Sequence, residues 1–221
     1  MMDIQTRILL TGFEPFGLLA ENPSQIMAEA LTSEEWHGAE VRCMILPVDF
    51  IAATERMTLF YGHDWTPDIV LHLGVARGRD AISLERFAIN LMDSASGDNA
   101  GYSPDEAPII VDAPMAYKTT IPCKRILQFL RGMGYEARLS NSAGTYVCNA
   151  VLFTSLHLLS ASGCSTSLRT AKNVRCGFIH LPLFEKVDYI TQFKIIKSII
   201  QWLVKNQQPA SPDYLSHGNA Q

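Results

Sequence analysis

The sequence predicts a layered α/β domain built on a central, largely parallel sheet. Three observations lead there. Short runs of Val, Ile, Leu and Phe alternate along the chain with segments whose apolar residues recur at helical spacing. The strand-like runs are apolar at nearly every position, as in strands covered on both faces. Helix start and stop signals punctuate the segments between them.

In chain order, residues 8–13 read as the first strand. Asn22 followed by Pro23 reads as an N-cap with proline at the first helical position, opening a helix over 24–31. A strand over 41–48, a helix over 51–61 and strands over 68–74 and 84–91 follow. Residues 94–108 are rich in Gly, Asp, Ser and Pro and read as an irregular loop. Thr120 opens a helix over 120–131 that Gly132 and Gly134 stop. A strand over 137–141 leads to a helix over 147–159, and the small polar stretch 161–173 reads as a surface loop. The last strand is 175–181. The last helix is 187–204, with Ile190, Phe193, Ile196, Ile200 and Leu203 as its apolar stripe. Residues 1–205 are expected to form one domain, and 206–221 a polar, frayed tail.

Composition bounds the function. The 221 residues are 48% hydrophobic and 18% charged with a net charge of −4, which suits one globular domain. No basic cluster could track phosphates, so nucleic acid is not an expected partner. The apolar run at 7–13 is too short for a signal peptide or membrane span, so no membrane association is expected. The five cysteines, Cys43, Cys123, Cys148, Cys164 and Cys176, are odd in number and widely spaced. That pattern fits neither a disulfide framework nor a zinc ribbon and points to a reducing cytoplasm. No metal-ligand motif or calcium loop occurs, so no metal is implied.

Three segments place a reactive side chain in or beside an apolar run. Cys148 follows the turn-like 142–145 and precedes an amphipathic run, which sets it near a helix N-terminus. Free N–H groups and the helix dipole there favour a thiolate and an oxyanion. The competing reading is a small buried hydrophobe. His180 lies near the carboxyl end of a predicted strand, where catalytic groups gather, although a core histidine satisfied by backbone fits the pattern too. Glu85 is a candidate for the carboxylate that orients the imidazole; Asp93 and Asp98 rival it on spacing, and a surface pair with Arg86 is the plainer alternative. Together they suggest a Cys–His–Glu nucleophilic device. Residues 11–17, with Phe13 and Phe16 among glycines and a proline, suit a rigid wall of a small apolar pocket. Residues 74–79 lack the endings of a P-loop or dinucleotide site and read as another wall loop.

These segments, in this order, resemble the pyroglutamyl peptidase I (pyrrolidone-carboxylate peptidase) family of cysteine peptidases. The anchors are Thr11-Gly12-Phe13-Glu14-Pro15-Phe16-Gly17, Asn22-Pro23-Ser24, Glu85-Arg86-Phe87-Ala88-Ile89-Asn90, Gly144-Thr145-Tyr146-Val147-Cys148-Asn149 and Gly177-Phe178-Ile179-His180-Leu181-Pro182. The resemblance implies a three-layer α/β/α sandwich with a mixed, largely parallel sheet. It implies a cofactor-free omega-peptidase that cleaves after an N-terminal pyroglutamyl (5-oxoproline) residue through a thioester. Cys148 would be nucleophile, His180 general base and acid, and Glu85 the orienting carboxylate. Phe13, Phe16, Asn22 and Tyr146 would bind substrate, and the chain would form a homodimer or homotetramer. The chain departs from the family pattern at Val75 (usually Gln), Arg77 (Gly), Ala95 (Arg) and Ser96 (Ile), all in loops expected near substrate. Two alternatives therefore stay open: a thiol hydrolase of another lactam or small amide, and a catalytically weak small-ligand-binding relative.

Overall fold

The computed structural model describes residues 5–61, 65–160 and 174–207. The main sheet has six strands: β1 (Thr6–Phe13), β2 (Ala39–Leu46), β3 (Ile69–Val75), β4 (Ile82–Glu85), β7 (Ala137–Ser140) and β8 (Arg175–Leu181). Their order is β2-β1-β3-β8-β4-β7. Every neighbouring pair is parallel except β4 against β8. The short strands β5 (Phe87–Ile89) and β6 (Ala116–Lys118) form a separate antiparallel pair.

Side-chain alternation sorts the two faces. Ile8, Leu10, Leu71, Leu84 and Ile179 enter one core, which α1 (Pro23–Thr32), α3 (Cys123–Gly132) and α5 (Tyr189–Lys205) cover. Leu9, Phe13, Val70, Cys176 and Phe178 enter the other, beneath α2 (Phe50–Phe60) and α4 (Val147–Ser160). The result is the expected three-layer mixed α/β arrangement. Helix α1 starts as the sequence suggests: Asn22 accepts from the Ser24 N–H at 3.0 Å, with Pro23 following. At the C-terminal end of α5 the Arg175 guanidinium donates to Leu203 O at 2.9 Å and to Asn206 O, just past the helix, at 2.8 Å.

Some local expectations change. The apolar run 84–91 is two strands in two sheets. Arg86 is the break: its N–H donates to Ser140 O and its carbonyl accepts from the Thr119 N–H. Thr120 does not start α3, because its hydroxyl accepts from the Cys176 N–H at 2.6 Å on β8; the helix begins at Cys123 behind Pro122. In α5 the buried face runs through Gln192, Ile195, Ile196, Ile199, Ile200 and Leu203, and Ile190 is 60% exposed. Residues 161–173, expected as a loop, and most of the expected tail lie outside the described residues; Asn206 caps α5 and Gln207 donates to Thr6 Oγ1.

Gly12 fixes the approach of α1 to β1. The atoms nearest a Cβ there would be backbone, with the Ser24 carbonyl oxygen at 2.4 Å and Gln25 Cα at 2.9 Å. Gly12→Ala must push α1 off the sheet and should destabilise the fold by about 1–3 kcal/mol, read as a lower urea midpoint at an unchanged m-value.

Candidate active site

The site forms at the carboxyl ends of the central strands, on the face that α4 covers. Strand pairing places its members before any side chain is considered. Gly74 on β3 is the register partner of His180 on parallel β8. Glu85, the last residue of β4, stands opposite Phe178, two residues from His180, so Glu85 and His180 are diagonal neighbours on one face.

The side chains complete the contact. His180 Nδ1 lies 2.7 Å from Glu85 Oε1, both groups being buried. The same oxygen accepts from Arg79 Nη1 at 2.6 Å, while Arg79 Nη2 donates to Ser140 Oγ at 3.2 Å. With the carboxylate accepting, Nδ1 must carry its hydrogen, and the neutral imidazole presents an unprotonated Nε2. The Phe178 ring packs on the imidazole with centroids 4.7 Å apart. Glu85 Oε2 is buried without a hydrogen-bond partner.

Cys148 is the second residue of α4 and is half-buried. A Cβ built on Gly74 would lie 2.9 Å from its sulfur. Paired positions on adjacent strands project to the same face about 4.8 Å apart. The sulfur therefore occupies the space beside the imidazole that a side chain at 74 would fill. Cys148 and His180 line one cavity of about 400 Å³. Asn149 anchors the start of α4: its side chain accepts from Ile89 N–H and donates to Ile89 O and Leu91 O.

Electrostatics refine the sequence expectation. Burial pushes the Cys148 thiol up to about 12, and the nearby Glu85 charge adds to this; its own backbone N–H and Arg79 oppose it. Burial also lowers the His180 imidazole from its ordinary 6.5, against the hydrogen bond and charge of Glu85. Desolvation thus outweighs the helix N-terminus, and the resting pair is a neutral thiol beside a neutral imidazole.

The other predicted residues sit around the cavity. Phe13, Phe16, Asn22 and Tyr146 all line it. Phe16 and Tyr146 rings are 6.3 Å apart, and the Tyr146 hydroxyl donates to Gly97 O at 3.3 Å. Asn22 is largely engaged in its own loop, with Nδ2 donating to Glu14 O and Oδ1 accepting from Ser24 N–H and Oγ–H. The rival carboxylate Asp98 accepts from the N–H groups of Phe50, Ala100 and Tyr102 and so organises a loop. Arg86, the plainer partner for Glu85, points to Asn141 instead. Among the described residues, no group of three or more His, Cys, Asp or Glu side chains could hold a metal ion.

Two contributors were not assigned from sequence. Arg79, within a stretch read as a wall loop, is a direct partner of Glu85. His72, fully buried, bridges Thr11 Oγ1 at 2.8 Å and Ser155 Oγ at 3.0 Å, tying β1, β3 and α4 together beneath the site. Burial lowers its pKa to about 3, so it holds these bonds as a neutral ring. Only the strand register, which aligns Thr11 with His72, could have signalled it.

A model of the pyroglutamyl peptidase family matches residues 6–199. A pyrrolidone-carboxylate peptidase of Thermococcus kodakarensis is 43% identical over 176 residues, covering 80% of this chain and 81% of the relative. That of Pyrococcus furiosus is 38% identical over 208 residues, covering 94% and 90%. The solved pyrrolidone carboxyl peptidase of Fervidobacterium islandicum superposes with a TM-score of 0.83 at 34% identity, covering 91% of this chain and 99% of that one. That of Thermococcus litoralis gives 0.82 at 31%, covering 96% and 100%.

A methyl group at 74 would collide with Cys148 Sγ at 2.9 Å and with Phe178 Cζ at 2.6 Å. Gly74→Ala should displace the sulfur from the imidazole and slow iodoacetamide alkylation of Cys148 by about tenfold or more, since Nε2 could no longer take its proton. Alkylation at the wild-type rate would refute this packing.

Proposed function

Since the chain belongs to the pyroglutamyl peptidase family, we propose that it is a cysteine peptidase that removes an N-terminal pyroglutamyl residue from peptides, with Cys148, His180 and Glu85 as its reacting set. The observation that carries the reading is one arrangement. A carboxylate fixes His180 Nδ1 at 2.7 Å, and the imidazole shares a cavity with a sulfur seated on the glycine beside it.

His180 Nε2 takes the thiol proton as Cys148 Sγ bonds to the pyroglutamyl carbonyl carbon. Glu85 holds the imidazole and balances its charge once it is protonated, while Arg79 keeps the carboxylate in place. The developing oxyanion is stabilised by N–H groups at the start of α4, which have no acceptor within the helix. The C–N bond breaks, and His180 gives its proton to the leaving amine. It then takes a proton from water, which attacks the thioester; the C–S bond breaks, pyroglutamate leaves and the proton returns to sulfur.

The pyroglutamyl ring is an uncharged lactam. Phe13, Phe16 and Tyr146 suit it as apolar walls, and Asn22 keeps one wall loop in place while leaving one amide hydrogen for the ring. No helix among the described residues is long and apolar enough to cross a membrane. The same reading assigns the protein to the cytoplasm as a homodimer or homotetramer. Its support is four unpaired thiols among the described residues and the exposed apolar Val111 and Met115.

The test is release of a chromogenic amine from a pyroglutamyl anilide. Cys148→Ala and His180→Ala should lower kcat/KM by about 10³-fold or more, and Glu85→Gln by a comparable factor through loss of the productive tautomer. Full activity in Cys148→Ala would refute the mechanism.

The pH profile follows from the two shifts. A protonated imidazole cannot accept the thiol proton, so activity is lost as pH falls through the lowered pKa of His180. The acid limb should lie below 6.5 and the alkaline limb above the ordinary thiol value of 9.0.

A further inference from the structure

Arg77 is a cation at the cavity for which the reaction above has no use. It lines the same cavity as Cys148 and is exposed. Its guanidinium lies 4.9 Å from the Phe16 ring centroid, and Nη2 donates to the Phe16 carbonyl at 3.1 Å. Gly17, at φ 60°, lies beside the guanidinium, and a Cβ there would stand 3.0 Å from Nη2. These two contacts with Phe16 orient the guanidinium over its ring.

Its charge is not neutralised. No ion pair to Arg77 forms among the described residues, and no Asp or Glu lines the cavity. The other lining cation, Arg79, is committed to Glu85. The guanidinium has five N–H donors, and Phe16 engages one. A planar fork with free donors on an exposed side chain at the cavity is suited to a carboxylate.

Position tells which part of the substrate would supply it. Phe16 contacts both the exposed Arg77 and Tyr146, which is two residues from the sulfur. The uncharged lactam gains nothing from a guanidinium. The portion of substrate outside the aromatic slot is the peptide on the amine side of the scissile bond.

We propose that Arg77 forms a carboxylate-recognising subsite for the leaving peptide, so that the enzyme favours pyroglutamyl peptides bearing an anionic group next to the cleaved bond. The proposal rests on the peptidase reading above. The carboxylate is either the side chain of the second residue or the free C-terminus of a pyroglutamyl dipeptide.

The test compares kcat/KM for matched pairs at low salt. One pair is pyroglutamyl-glutamate amide against pyroglutamyl-glutamine amide; the other is pyroglutamyl-glutamine as free acid against its amide. In the wild type at least one pair should show an anion preference of about threefold to tenfold, and the pair that shows it identifies the source of the carboxylate. Arg77→Gln should bring that ratio to near one, and Arg77→Lys should restore part of it as a point charge. Should Arg77→Gln fail to fold, the wild-type ratio must still fall with added salt. Ratios near one in the wild type, or a preference that survives Arg77→Gln or high salt, overturn the subsite. Turnover of no pyroglutamyl substrate by the wild type overturns the peptidase reading, and the subsite with it.

Discussion

One oxygen organises the site. Glu85 Oε1 receives His180 Nδ1–H at 2.7 Å and Arg79 Nη1–H at 2.6 Å. The first contact sets the tautomer and aims Nε2; the second brings a positive charge to a carboxylate that has no access to water. A buried carboxylate facing a neutral imidazole alone would be costly, and Arg79 offsets that cost while its other donors tie the β3–β4 loop to Ser140 and Ser142. The electrostatic requirement of the histidine is thus also a mechanical link between two loops at the cavity.

The sheet supplies the second constraint. Because Cβ atoms alternate, Thr11, His72, His180 and Glu85 all place polar side chains on the face toward α4 within an otherwise apolar core, with Gly74 as the register partner of His180. Gly74 has no side chain, and the Cys148 sulfur and the edge of the Phe178 ring take that volume. His72 holds α4 at Ser155, two turns below Cys148, while Asn149 clamps the start of the helix to β5. The height and rotation of α4 are set by polar contacts with fixed geometry, where apolar packing alone would tolerate sliding.

How far this could be read from the sequence depended on the range of the signal. Helix α1 was legible because Asn22 and Pro23 act locally, on their own first turn. Cys148 at a helix start was legible for the same reason. Residues 84–91 looked like one strand because apolar composition does not record where hydrogen bonds change partner, and Arg86 divides its bonds between Ser140 and Thr119. β6 is three residues long, with both end residues exposed, so it has no hydrophobic pattern to detect. Thr120 looked like a cap, but Cys176, distant in sequence, claims its hydroxyl. Among three candidate carboxylates, spacing could not separate Glu85 from Asp93 and Asp98; strand pairing separates them, since only Glu85 falls diagonally to His180. Arg79 escaped for that reason too, as its partner is defined by the fold.

Burial decides how the thiol can be activated. A helix N-terminus favours a thiolate by about 0.3–1 kcal/mol when exposed. Here that help is overcome by desolvation, which raises the thiol to about 12, and by the negative charge of Glu85. A standing thiolate would have to sit near that carboxylate with only part of its charge balanced. Moving the proton to His180 as the S–C bond forms avoids this, because negative charge passes onward to the substrate oxygen while positive charge appears between Glu85 and the sulfur. In the proposed mechanism, the carboxylate that disfavours the anion in the resting site thereby favours the transfer that generates the nucleophile. The thiol in that mechanism keeps its proton until a carbonyl is in place, which suits a reactive sulfur in a cavity open to other electrophiles.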